Sequence, residues 1–140
     1  MSALSRLHRL LALLAFVLLL LLSGCAQSEP TQGSPTTPVS TPTTYHGSVH
    51  NTTHDVMSTI SLSFTTAGSH IQGTFTVDPP LVGSGPFTGT ISTTTIQFVV
   101  SPTDGSATLT FTGTFQSDGS ISGSYGTSAG QAGTWQVVPG

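Results

Sequence analysis

Charge is nearly missing from this chain. Lys, Arg, Asp and Glu together make up seven of 140 residues, or 5%, where a soluble domain usually carries about a quarter. The two basic side chains, Arg6 and Arg9, fall in the first ten residues, and no Lys or Arg follows. That excludes binding to a phosphate backbone, because no cation is there to displace counterions. It also excludes Arg or Lys clamps for phosphoryl transfer and a Lys Schiff base. The single cysteine, Cys25, excludes a disulfide framework and a thiolate zinc site. What the chain has instead is 20 Ser, 25 Thr and 16 Gly. Its length suits one domain.

Met1 to Arg9 is a short basic segment, and Leu10 to Leu22 is an unbroken apolar run of thirteen residues. As a helix this run reaches about 20 Å, short of the ~30 Å hydrocarbon core, so it suits a signal-peptide core better than a membrane span. Leu22-Ser23-Gly24-Cys25 follows. This resembles the lipobox of bacterial lipoproteins: a branched aliphatic, two small residues, then Cys. The resemblance implies a diacylglycerol on the Cys25 sulfur, cleavage after Gly24, and Cys25 as the mature N-terminus. Apart from that lipid no cofactor is implied. An ordinary signal peptide or an uncleaved anchor is the alternative. Two acyl chains make a stable anchor where one is marginal.

Ala26 to Thr44 holds Pro30, Pro35, Pro38 and Pro42 among Thr, Ser and Gln, with Val39 its only large aliphatic. Such a segment buries too little surface to offset chain entropy, which predicts a disordered stalk with polyproline II bias. Thr-Pro richness also resembles O-glycosylated stalks.

From Tyr45 onward apolar and polar residues alternate with period two, the pattern of half-buried strands. Ile60, Leu62 and Phe64 alternate with Ser61 and Ser63, and Leu109, Phe111 and Phe115 alternate with Thr. Helical spacing is missing, and Ser, Thr and Gly are poor helix formers. Turn signals at Ala67-Gly68, Pro79-Pro80, Asp104-Gly105, Asp118-Gly119 and Gly126 to Gly130 separate the runs. Eight strands are predicted, at 45–50, 55–65, 70–77, 86–92, 94–101, 106–116, 119–126 and 131–138. Short connections favour antiparallel neighbours. Closing the meander into an up-and-down barrel leaves no open edge. The fold class is therefore all-β, an eight-stranded antiparallel barrel after a signal helix and a disordered linker. A two-sheet sandwich is the runner-up.

An internal repeat, apolar-x-Gly-Ser/Thr-apolar, recurs around Gly47, Gly73, Gly89, Gly113 and Gly123, with a partial copy at Gly133. In each copy Gly shares the parity of the apolar residues and faces inward. Gly is costly inside a strand. Either it permits strong coiling with aromatics covering the gaps, or it leaves room for a ligand. All six Phe after residue 44 also point inward, which favours a filled core in so narrow a barrel. The hairpin Asp118 to Tyr125 and Gly133-Thr134-Trp135 resemble segments of avidin-like and lipocalin-like barrels, small meander barrels that carry hydrophobic ligands. The architecture carries over. No binding residue does, because the Gly-x-Trp lies near the C-terminus here, whereas lipocalins carry theirs on the first strand.

Candidate chemistry is sparse. His46, His50, His54, Asp55 and His70 draw notice, but on a strand a four-residue spacing separates two His by about 13 Å, too far to share a metal. The loop after His50 would have to fold His50, His54 and Asp55 together for a metal to bind; otherwise they are solvated side chains. Gly126-Thr127-Ser128-Ala129-Gly130 matches the nucleophile-elbow pattern, which requires a helix after the Ser; a strand is predicted there. Asp78, Asp104 and Asp118 sit at turns, where Asp bonds its own backbone. A glycosidase pair needs two carboxylates roughly 5–9.5 Å apart, and nothing brings these together. Leu81 and Val82 either cap one barrel end or form a patch for a partner.

Three segments follow: a lipoprotein signal at 1–24, a lipidated stalk at 25–44 and a barrel at 45–140. The expected protein is exported and lipid-anchored, on the outer face of the bacterial cell membrane or at the outer membrane, with a non-enzymatic domain in a structural or binding role. Its partners are the membrane and either a small apolar ligand or an envelope protein or glycan. Nucleic acid is excluded, and the domain is expected to be monomeric. An alternative is a carrier holding a small apolar ligand inside the barrel, with Tyr45, Phe75, Phe111, Tyr125 and Trp135 as its lining. A hydrolase is a further alternative.

Overall fold

The computed structural model describes residues 42–140. The signal segment, Cys25 and nearly all of the expected stalk lie outside the described residues. Eight strands follow in order: β1 Thr43–Asn51, β2 Val56–Ala67, β3 His70–Val77, β4 Gly85–Ile91, β5 Thr95–Val100, β6 Leu109–Phe115, β7 Ile121–Thr127 and β8 Ala132–Pro139. Each pairs antiparallel with its neighbour, and β8 returns to β1, from Tyr45↔Pro139 to Asn51↔Gly133. The sheet is thus a closed up-and-down barrel rather than a sandwich. Closure leaves no backbone edge open to pairing with another chain.

The period-two pattern is the cause. Along β5, Ile96, Phe98 and Val100 are buried, while Thr95, Gln97 and Val99 face out. On β6, Leu109, Phe111 and Gly113 are buried and Thr110, Thr112 and Thr114 are exposed. A one-residue slip would reverse every one of these positions. Five of the six inward Phe are fully within the core, and Phe115 packs against it.

The repeated glycines serve curvature. A Cβ on Gly123 would strike the Thr112 carbonyl oxygen and the Cα of its partner Gly113. The neighbouring strand therefore occupies the space a side chain would need. At Gly113 the same space is filled by side chains, with Trp135 Cζ2 2.7 Å from the would-be Cβ. Aromatic covering of strand glycines is how tightly curved sheets keep their cores full.

Strand limits differ from the sequence reading mainly at β6, which begins at Leu109 and not at 106. An Asx turn causes this: Asp104 Oδ1 accepts the Ser106 N–H at 2.9 Å, and Gly105 takes a φ of 75°. The Thr108 carbonyl then accepts the Ser128 N–H at 3.0 Å. Residues 106–108 are left as a loop. At the other end of the chain β1 starts at Thr43, whose partner is Phe64.

Candidate functional site: an apolar pocket at one barrel end

Topology divides the loops into two groups. The β1–β2, β3–β4, β5–β6 and β7–β8 connections crown one end; Thr43, Pro139 and the other three connections lie at the opposite end. The crowned end holds a cavity of about 210 Å³. Phe75, Phe111 and Tyr125 line its inner part, and Val49, Val77 and Leu109 its sides. Leu81, Val82, Ala129 and Gln131 stand around the mouth, with Val82 69% exposed. No residue lining it is charged.

Below the pocket the barrel is solid. Phe98 and Phe111, cross-strand partners, stack at 4.8 Å with 5° between their planes. Phe111 also stacks on Tyr125 at 5.2 Å, and both Phe98 and Phe111 meet Trp135 edge-on. Such offset and T-shaped contacts suit the aromatic quadrupole. The fully buried Phe111 is the seam where the packed interior meets the cavity.

The mouth loop 78–84 is fastened at its base. Ser84 Oγ accepts the Val77 N–H at 2.9 Å, and the Ser84 carbonyl accepts the Thr103 N–H at 3.0 Å. Leu81 N–H reaches Ser58 Oγ at 3.4 Å. Across the mouth, Asn51 is 2% exposed. Its Oδ1 accepts the N–H groups of Thr53 and His54 at 3.0 and 3.2 Å, and its Nδ2 donates to Gln131 Oε1 at 3.0 Å. This is how a buried amide satisfies both ends.

Ser106 Oγ is sealed from solvent and has no hydrogen-bond partner among the described residues. Its hydroxyl lies beside Asp104 and, with the Ser106 N–H, holds that carboxyl below its ordinary range; the hydroxyl contact falls short of hydrogen-bond geometry. Burial raises Tyr125 above the ordinary phenol range, with no hydrogen bond contributing.

Of the five residues expected to line a ligand site, Phe75, Phe111 and Tyr125 meet at this pocket. Tyr45 lies at the opposite end, stacked on Phe64 at 6.0 Å. Trp135 sits within the core and donates Nε1–H to the Thr112 carbonyl at 3.0 Å. The loop after β1 joins two of the three metal candidates: His50 Nε2 lies 2.9 Å from Asp55 Oδ1. His54 does not join them, and among the described residues no three His, Cys, Asp or Glu cluster. Ser128 lies in the β7–β8 hairpin, with a strand after it. Asp78 and Asp104 are at the crowned end and Asp118 at the other. His46 and Asp78 border a shallow outer groove with Thr59 and Ser61. Sequence reasoning missed Asn51, Ser106 and Gln131. Asn51 reads as a loop residue and Gln131 as the first residue of a strand, and only the folded loops show what they face.

No protein-family model, curated protein or solved structure matches this chain.

Proposed function

We propose that this is an exported, lipid-anchored protein of the bacterial cell envelope whose barrel is a non-enzymatic binding domain. Its binding site is the crowned end of the barrel. The observation that carries the binding reading is the uncharged, aromatic-walled cavity of about 210 Å³, set in a barrel whose outer face is mostly Ser and Thr. Concave apolar sites with a few polar groups are the usual form of a small-molecule site. The solid interior below Phe111 argues against a deep cup, so the occupant is small.

The anchoring reading is supported by the basic segment, the apolar run and Leu22-Ser23-Gly24-Cys25, which occur in the order and at the lengths a lipoprotein signal needs. Two measurements test the whole. Cys25→Ser is expected to release the protein from the membrane fraction; uncleaved protein that still sediments with membranes would falsify the anchoring. Toluene, titrated into the protein and followed by two-dimensional amide NMR, is expected to shift resonances around Phe75, Phe111 and Tyr125 in a saturable way. A spectrum unchanged at millimolar toluene would remove the binding site.

A further inference from the structure

Two polar groups that line the crowned pocket share one character. Asn51 Oδ1 accepts the N–H groups of Thr53 and His54, which fixes its amide so that Nδ2 meets Gln131. Gln131 therefore offers Oε1 to Asn51, and its Nε2 N–H groups stand outside that bond. Nε2 has no partner among the described residues and is not sealed from solvent. The Tyr125 hydroxyl is alike: no hydrogen bond acts on it, and it is not sealed. Tyr125 is an inward residue of β7, and an inward side chain meets solvent only through an end of the barrel; the end it lines is the crowned one.

The two groups lie close. Gln131 is two residues before Gly133, the cross-strand partner of Tyr125, the diagonal spacing at which long side chains reach one another. Nε2 can only donate, and the phenol hydroxyl can donate. Acceptors nearby are already engaged: Gln131 Oε1 holds Asn51, and Thr127 Oγ1 accepts the Gln131 N–H at 3.1 Å. What the pocket offers is donors.

The rest of the reachable lining is apolar, from Val77, Leu81, Val82, Ala107, Leu109 and Ala129. A cavity of roughly 150 Å³ holds benzene, so the 210 Å³ here takes about eight non-hydrogen atoms. A carboxylate could accept the same bonds. No lining residue is charged, however, and no Lys or Arg follows Arg9, so its lost hydration would go uncompensated.

We infer that the pocket takes a compact uncharged molecule with an apolar body and one carbonyl-type acceptor, whose oxygen takes hydrogen bonds from the Tyr125 hydroxyl and Gln131 Nε2. This rests on the reading of the crowned end as the binding site and adds which polar group its ligand carries.

The test titrates ethylbenzene, acetophenone and benzoate into the protein and two variants under two-dimensional amide NMR. Tyr125→Phe removes a hydroxyl with no bond on the protein and keeps the ring that stacks on Phe111, so Tm is expected to be unchanged or raised. In Gln131→Glu one carboxylate oxygen still accepts from Asn51 Nδ2, and the other puts an acceptor where the donor was. Each substitution is expected to weaken acetophenone about five- to tenfold, the increment of one hydrogen bond, and to leave ethylbenzene binding unchanged. Benzoate is expected to bind the unaltered protein more weakly than acetophenone does. Acetophenone affinity unmoved by both substitutions, with ethylbenzene bound, overturns the acceptor class and leaves the binding site standing. Benzoate binding tighter than acetophenone overturns the uncharged class. Failure of all three ligands to shift resonances overturns the site itself.

Discussion

Trp135 lies across Gly113. The indole Cζ2 is 2.7 Å from the point where a Gly113 side chain would begin, and Nε1–H reaches the Thr112 carbonyl at 3.0 Å. One residue is bare so that another, two strands away, can lie flat on the sheet and bond its backbone. Gly113 in turn faces Gly123, its cross-strand partner.

Gly113→Ala is expected to push Trp135 aside and destabilise the barrel by about 1–3 kcal/mol, the usual range for overpacking. The methyl would also meet Ile121 Cγ2 at 2.8 Å. Tryptophan emission should change in the folded state. Gly123→Ala should cost more, because its obstacle is the backbone of β6, which cannot rotate away. Urea unfolding of both variants gives the order; Gly113→Ala as the worse of the two would contradict it.

Asn51→Ala is expected to cost about 1–3 kcal/mol, the range for leaving buried polar groups unpaired. It strips the acceptor from the N–H groups of Thr53 and His54 and orphans Gln131 Oε1. Asn51→Asp keeps the first two bonds, and Gln131 can turn its amide to donate to the new carboxylate, so it should cost less than Asn51→Ala. Equilibrium unfolding at pH 8 separates the two variants. A loss below half a kcal/mol for Asn51→Ala would mean the loop holds itself.

The pH profile of stability is expected to be flat from about pH 5 to 9. The Ser120 hydroxyl and then its N–H hold Asp118 below its ordinary value, at 2.6 and 2.9 Å. A lowered carboxyl stabilises the fold above its unfolded value and loses that contribution as pH falls through the folded one, here below about pH 4. Burial raises Tyr45 and Tyr125. Raised groups act in the opposite sense: stability is intact below the unfolded value and lost as pH climbs past the folded one, above about pH 10. Thermal melts from pH 3 to 11 should show both shoulders, and Asp118→Asn should reduce the acid one, leaving the share of Asp104.

Trypsin is expected to leave residues 10–140 uncut even in urea, since no Lys or Arg occurs after Arg9. Chymotrypsin should cut the same chain at its aromatic residues once urea opens the barrel, because Phe75, Phe98 and Phe111 are at most 1% exposed in the fold. Rapid chymotryptic cleavage without denaturant would mean the barrel opens readily.

The sequence by itself determined the strands, their order and which side of each faces in. Those depend on local alternation: in Ile96-Gln97-Phe98-Val99-Val100 or Leu109-Thr110-Phe111 the burial pattern can be read residue by residue, because side chains on a strand alternate whatever the sheet later does. Short turns then leave few ways to connect eight such ribbons. Closure through β1 and β8, the bending at Gly113 and Gly123, and the pocket were decided only by tertiary structure. Parity says that Tyr45, Phe75, Phe111, Tyr125 and Trp135 all point inward, but not how far along the barrel axis each one sits. That depth follows from the stagger between strands, and it places Tyr45 at one end, Trp135 in the packed middle, and Phe75, Phe111 and Tyr125 around the space that remains.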